Sequence, residues 1–378
     1  MATTSFRRAI APGVAVLALA TLAACGDSNG SSSNTSSSTS TSSSSMSSGG
    51  GSASGTLSAG GSSAQAAAQT QWISDYQSKN PGVTITYNPV GSGAGRTSFE
   101  QGAFPFAGSD AFISDPTEYA SAQKACSGAD PIEVPDYISP IAVVFNLKGV
   151  TKLNLDAKTI ANIFNGSIKT WNDPAIKALN AGATLPSTAI QPVHRSDDSG
   201  TTQNFTDYLS KASEGAWKTP VSQTWPTSTG LNGNGTSGVI SAVKGADGSI
   251  GYADASQAGG LGVTSIKVGA TFNAPSAAGA AAVVAKSPLD KTAKDDQLIY
   301  DIDRTDTDAG AYPLLLTSYL IACPTYSDAK TADLVKGYLA YIVSQDGQKS
   351  GATAAGSAPL SSDVSAKATA IVEKIAAK

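Results

Sequence analysis

From about Thr56 to its end, this chain alternates short apolar runs with helix-length stretches, and that alternation leaves few folds open. Thr56–Ser58, Val83–Tyr87, Ile141–Phe145, Ile190–Val193 and Ser318–Ala322 predict strands, being mostly β-branched, aliphatic or aromatic and bounded by turn residues. Residues 66–79, 159–164, 173–179, 202–209, 238–243 and 329–344 predict helices, the last with Leu334, Tyr338 and Tyr341 on one face. The expected fold class is therefore α/β, with helices covering a largely parallel or mixed sheet. No internal repeat is found. About 320 residues make up this part of the chain, a length that suggests two lobes rather than one.

The first 55 residues are of a different kind. Arg7 and Arg8 precede an uncharged, mostly apolar run from Ala9 to Ala24, shorter than the ~20 apolar residues a bilayer span needs, so residues 1–24 read as a secretory signal peptide. The run ends in Leu22-Ala23-Ala24-Cys25, which resembles the lipobox of bacterial lipoproteins. That resemblance implies a diacylated Cys25 at the mature N-terminus, and a protein anchored by lipid, palmitate included, to the outer face of the cell membrane. Residues 25–55 are almost wholly Ser, Thr and Gly and cannot bury a core; as a flexible tether they would reach roughly 30 Å.

Without residues 1–24 the chain carries 23 basic and 29 acidic side chains, net −6. A nucleic-acid partner would call for a basic face and is not expected. An anionic ligand remains open, because oriented N–H and O–H dipoles with one Arg hold an oxyanion without a positive net field. With Cys25 committed to lipid, Cys126 and Cys323 are left as an even pair in an oxidising compartment, and a disulfide between them is expected. One His and no Cys-x-x-Cys argue against a metal site, and no cofactor is expected.

Four segments concentrate small, hydroxyl-bearing and charged residues. His194-Arg195-Ser196-Asp197-Asp198-Ser199-Gly200-Thr201-Thr202 lies just before a predicted helix, where first-turn N–H groups have no intrahelical partner and the helix dipole is positive. Arg195 adds a planar charged fork that matches phosphate oxygens, and Asp197 would buttress it. Gly60-Gly61-Ser62-Ser63-Ala64 and Gly91-Ser92-Gly93-Ala94-Gly95-Arg96 each follow a predicted strand, and each could present a helix N-terminus with a serine hydroxyl, although a glycine-rich segment of this kind, taken alone, is more often a plain turn. Phe106-Ala107-Gly108-Ser109-Asp110 places an acid beside small residues. The Gly91 segment lacks the third glycine of a dinucleotide loop, and the chain has no P-loop Gly-Lys-Ser/Thr.

Taken in order, these segments resemble the phosphate-binding segments of the PstS family, the substrate-binding proteins of phosphate-specific ABC transporters. Ile163–Pro174 and Gly248-Ser249-Ile250-Gly251-Tyr252 resemble further stretches of that family, and the similarity runs from about Thr56 to the end. The resemblance implies a two-lobed periplasmic-binding-protein fold (type II), two α/β lobes joined by a two-strand hinge with the ligand cleft between them. One lobe would comprise residues 57–140 plus 317–378 and the other 141–316. It also implies inorganic phosphate as ligand, delivery to the permease subunits for import, no catalysis, a monomer, and no membrane contact beyond the lipid anchor. The phosphate contacts it implies fall on Ser63, the Ala64 N–H, Ser92, Asp110, Arg195, Ser199, Gly200 and Thr201. Ala64 stands where the family often has an aromatic residue, a change expected to alter packing rather than the peptide N–H contact.

Phosphate near neutral pH carries a proton, and Asp110 is the acceptor able to take it. Sulfate has none, and would meet Asp110 as charge against charge in a low-dielectric cleft, a mismatch of several kcal/mol. The alternatives are a binding protein for another tetrahedral oxyanion, a phosphate-ester hydrolase, and a surface lipoprotein with a vestigial cleft. For the hydrolase, Ser199 or Ser63 would need His194 as base, yet His194 directly precedes Arg195 on an extended segment, so the two side chains should point to opposite sides.

Overall fold

The computed structural model describes residues 53–378; the expected signal peptide, Cys25 and nearly all of the expected tether lie outside the described residues. The chain opens with β1 (Ser54–Gly61), α1 (Ala66–Lys79), β2 (Gly82–Asn88), α2 (Ser92–Glu100), β3 (Phe106–Ser109), α3 (Pro116–Ala125) and β4 (Ile132–Asn146). It continues through β5 (Leu153–Leu155), α4 (Ala157–Phe164), α5 (Pro174–Leu179), β6 (Gln191–Arg195), α6 (Gly200–Ala212), β7 (Leu231–Gly233) and α7 (Gly235–Gly245). Then come β8 (Ser249–Asp254), β9 (Gly262–Val268), β10 (Thr271–Asn273), α8 (Ala277–Lys286), β11 (Leu315–Ala322), β12 (Thr325–Tyr326), α9 (Ala329–Val343), α10 (Gln345–Ala355), α11 (Ser362–Val372) and β13 (Ala376–Ala377). Because β1 begins at Ser54, paired with Gly82, the expected end of the tether at Gly55 falls inside a strand.

The sheet is mixed, in the order β2-β1-β3-β11-β4-β8-β6-β7, with β9 also on β4 and carrying β5 and β10. Two strands decide how this sheet is divided. Residues Ile132–Pro140 of β4 pair with β11, whereas Ile141–Asn146 pair with β8, so one continuous strand serves both halves. A bulge lies where the pairing passes from Tyr137 opposite Ser318 to Pro135 opposite Tyr319, which leaves Asp136 without an opposite residue. Pro135 is tolerated inside a central strand at this irregularity.

Around the first half, α1, α9 and β4 bury Trp72, Tyr76, Phe106, Tyr338 and Leu339; around the second, α4 and α6 bury Phe164, Phe205, Tyr208 and Leu209 against Tyr252 and Trp225. A smaller cluster of Phe99, Ala107, Ala122 and Ile321 surrounds a disulfide between Cys126 and Cys323. The bridge expected from the cysteine count is therefore formed, and it lies within the first half. Side-chain oxygens stop the helices at their N-termini in the usual way: Asp156 accepts from the N–H of Thr159, and Ser199 from that of Thr202.

Candidate anion-binding site

Strands β1, β2 and β3 run parallel to one another, as do β6, β7 and β8. The chemistry collects at their carboxyl ends, the edge where open α/β sheets bind ligands. Ser62 and Ser63 follow β1, Ser92 opens α2 after β2, and Asp110 follows β3; across from them, Arg195 ends β6, Ser199 caps α6, and Gly235 opens α7 after β7. Gly91, the cap of α2, has φ +101°, and a Cβ there would lie 2.4 Å from Asp197 Oδ2. A Cβ on Gly200 would lie 2.7 Å from Asp110 Cβ. Glycine at both positions is what lets the two walls meet.

The contacts between the walls are direct. Thr201 Oγ1 donates to Asp110 Oδ2 at 2.9 Å, Asn204 Nδ2 to the Asp110 carbonyl at 2.7 Å, and the Gly93 N–H to the Asp198 carbonyl at 3.1 Å. The Thr236 N–H donates to Ser63 Oγ at 3.0 Å, and Gln257 Nε2 to the Ser63 carbonyl at 2.8 Å. Farther out, Arg96 Nη2 reaches Gln223 Oε1 at 2.6 Å, while the Gln223 carbonyl accepts from the Ser199 N–H.

Three hydroxyls share one geometry. Ser63 Oγ accepts from the Thr236 N–H, Ser92 Oγ from the Asp110 N–H at 3.2 Å, and Ser199 Oγ from the Thr202 N–H at 3.1 Å. Each oxygen thereby accepts from a backbone N–H; the protons of Ser92 and Ser199 are left to donate, whereas Ser63 Oγ also shares a hydrogen bond of 2.9 Å with Thr236 Oγ1 on the opposite wall. Arg195 is 3% exposed. Asp197 takes its Nε at 2.7 Å and its Nη2 at 2.5 Å, and also accepts from the Gly235 N–H at 3.0 Å; Nη1 has no protein acceptor among the described residues. Burial pushes the Asp197 carboxyl up, but the Arg195 contacts and the backbone N–H outweigh it, so Asp197 ionises below the ordinary aspartate range.

The sequence-selected residues Ser63, Ser92, Asp110, Arg195, Asp197, Ser199, Gly200 and Thr201 thus surround one cleft, built from helix N-termini, hydroxyls, one guanidinium and two carboxylates, of which Asp197 is bound to the guanidinium. Ala64 lies beside them, but its N–H is turned to Ser62 Oγ at 3.1 Å. Ser62, Ser318, Asn204, Thr236 and Gln257 belong to the same constellation; Ser62 lies in the segment Gly60–Ala64, and the other four carry no local signature. His194 stacks on Trp225 at 5.0 Å, and its Nδ1 lies 2.8 Å from the Arg195 carbonyl; burial lowers its pKa, so it is neutral at pH 7. It is bonded to neither Ser63 nor Ser199. Behind Asp110, Asp136 is fully buried, and burial with the neighbouring Asp110 charge raises its pKa far above the ordinary range. A concavity of about 550 Å³ around Trp217 and Lys218 lies elsewhere on the surface, whereas one of about 200 Å³ touches Asp110 and Asn204; convergent donors, not volume, single out the site.

The model of the PBP superfamily domain matches residues 46–346. Phosphate-binding protein PstS 3 of Mycobacterium leprae is 38% identical over 280 residues, 73% of this chain and 75% of its own. Phosphate-binding protein PstS 2 of Mycobacterium tuberculosis is 36% identical over 316 residues, 82% of this chain and 85% of its own. The chain belongs to the PstS family. Its fold is shared with the periplasmic phosphate-binding protein PfluDING (TM-score 0.69, 22% identity, 84% of this chain and 93% of that one). It is shared too with the phosphate-binding protein of Stenotrophomonas maltophilia (TM-score 0.63, 19% identity, 84% and 93%). Both the superfamily and these neighbours agree with the periplasmic-binding-protein architecture that the PstS resemblance implies.

Proposed function

We propose that this PstS-family chain binds inorganic phosphate outside the cytoplasm and delivers it to the permease of an ABC transporter, acting as a carrier and not as an enzyme. The observation that carries the reading is the pairing of opposites in one cleft. Hydroxyls of Ser92 and Ser199 have their protons free to donate, Arg195 supplies charge, and Asp110 alone is an acceptor among these ligand groups. Such a set suits an anion that itself carries a proton. N–H groups at the starts of α2 and α6 would share the remaining oxygens.

The two lobes of this reading are 57–140 plus 317–378 and 141–316. The split pairing of β4, whose partner changes between Pro140 and Ile141, supports that boundary. Arg304 supports the second crossing: its Nη1 donates to the Pro313 and Leu315 carbonyls at 3.1 and 2.6 Å, and its Nη2 to Asn204 Oδ1. Phosphate bound to both walls would favour the closed arrangement, which the permease then reads. Export on a lipid anchor at Cys25, with residues 25–55 as spacer, completes the proposal and rests on the lipobox alone.

Isothermal titration tests it. After unfolding and refolding to strip carried-over anion, the protein should bind phosphate one to one at pH 7 and give no heat with sulfate. A folded protein silent to phosphate would overturn the reading.

A further inference from the structure

Asp110 is 3% exposed and is held unequally at its two carboxylate oxygens. Oδ1 accepts from two hydroxyls of the first half, Ser62 Oγ at 2.5 Å and Ser318 Oγ on β11; Oδ2 accepts only Thr201 Oγ1, which comes from the opposite wall. The direction of the Ser62 bond follows from its other partner. Ser62 Oγ accepts from the Ala64 N–H, so its single proton goes to Asp110. Both serines are fully buried, and neither Oγ reaches the opposite wall.

We infer that Ser62 and Ser318 are specificity-determining positioning residues. They fix the plane of the Asp110 carboxylate and occupy Oδ1, so that Oδ2 is the one acceptor turned to the anion. This inference rests on the phosphate reading and deepens it. An acceptor discriminates between phosphate and sulfate only if it cannot turn aside. A carboxylate free to rotate relieves its repulsion with sulfate by moving off, and at the same time it loses the alignment that takes the phosphate O–H. Sequence reading assigned selectivity to Asp110 alone; the contacts extend it to two residues 48 and 208 positions away along the chain.

The test is titration of the full chain with phosphate and with sulfate at pH 7, comparing the unsubstituted protein with Ser62→Ala, Ser318→Ala and the double variant. Each single variant should lose about tenfold in phosphate affinity and the double variant about a hundredfold, since each removes a hydrogen bond to a charged group. Sulfate affinity should hold or rise, so the phosphate-to-sulfate ratio narrows by at least tenfold. A variant that binds both anions more weakly in equal proportion, or keeps its phosphate affinity, would overturn the inference, because a packing role alone predicts that result. If the Ser318 variants fail to melt cooperatively, Ser62→Ala decides the matter alone, since it deletes one oxygen from a turn outside the strands. An unsubstituted protein that is folded yet binds no phosphate would instead remove the underlying reading.

Discussion

The wall built on β1, β2 and β3 presents a carboxylate to the cleft, whereas the wall built on β6 and α6 presents a guanidinium, and each charge is managed differently. Arg195 is gripped by Asp197 on two nitrogens, so its charge is tempered within the wall itself while Nη1 stays unpartnered among the described residues. Among the described residues no cation is bonded to the Asp110 carboxylate, and hydroxyls alone hold it. On the proposed function this difference would divide the labour: Arg195, through the Nη1 that Asp197 leaves free, would hold an anion of any kind, and Asp110 would ask whether it carries a proton.

The largest effect should come from Arg195→Ala, which also leaves the partly buried Asp197 without its cation. Removing a charged group that bonds the anion typically costs about 2–5 kcal/mol of binding, so phosphate affinity should fall on the order of a thousandfold, with a lower melting temperature. Sulfate binding should not appear. A loss confined to selectivity would break the comparison. Asp110→Asn should cost less, about a hundredfold for phosphate, while sulfate begins to register by titration; equal behaviour of the two anions in both variants would show that the walls do not divide the task.

Beneath the Asp110 wall, Glu133 on β4 is buried, accepting from the Ile113 N–H and from Gln297 Nε2. Burial raises its pKa to about 8, offset in part by that N–H and by Arg96. The unfolded chain would release this proton near pH 4, so between about pH 4.5 and 8 the folded state holds a proton that the unfolded state does not, and stability falls as pH rises. Melting temperature should therefore decline from pH 5 to 8, and Glu133→Gln should flatten the decline by up to about 1 kcal/mol per pH unit. A slope unchanged by that substitution would assign the pH dependence to Asp136 or Asp254 instead, both raised by burial. The smallest effect is expected for His194→Ala, which faces Trp225: phosphate affinity should change by less than about threefold, measured by the same titration. A large loss would bring His194 into the Arg195 wall.

Much of this division was legible in the chain. Ala66–Lys79 forms the helix its pattern predicts, with Ala68, Trp72 and Tyr76 buried along one side, and the Arg195-to-Thr201 run announces a capped helix start through Ser199. Other parts were not. Gly91–Arg96 has the composition of a turn, yet Ser92–Glu100 is helical; a Cβ on Gly95 would lie 2.4 Å from Gly61 Cα, so the glycine that weakens local propensity permits the close packing that forms the helix. Ile132–Ile138 hid as a strand because Pro135 and Asp136 interrupt its pattern, and only the bulge opposite β11 accommodates them. Ser318 and Thr236 reach their partners across 208 and 173 residues, distances at which no local spacing carries a signal.

The bond between Cys126 and Cys323 spans 197 positions and encloses the whole second half of the sheet within one covalent ring. A protease that cuts any exposed loop in that interval opens the ring without dividing the molecule. The nicked protein would run as a single species until a thiol is added, and its two pieces would remain seated against each other, keeping the cleft assembled after the chain itself has been broken.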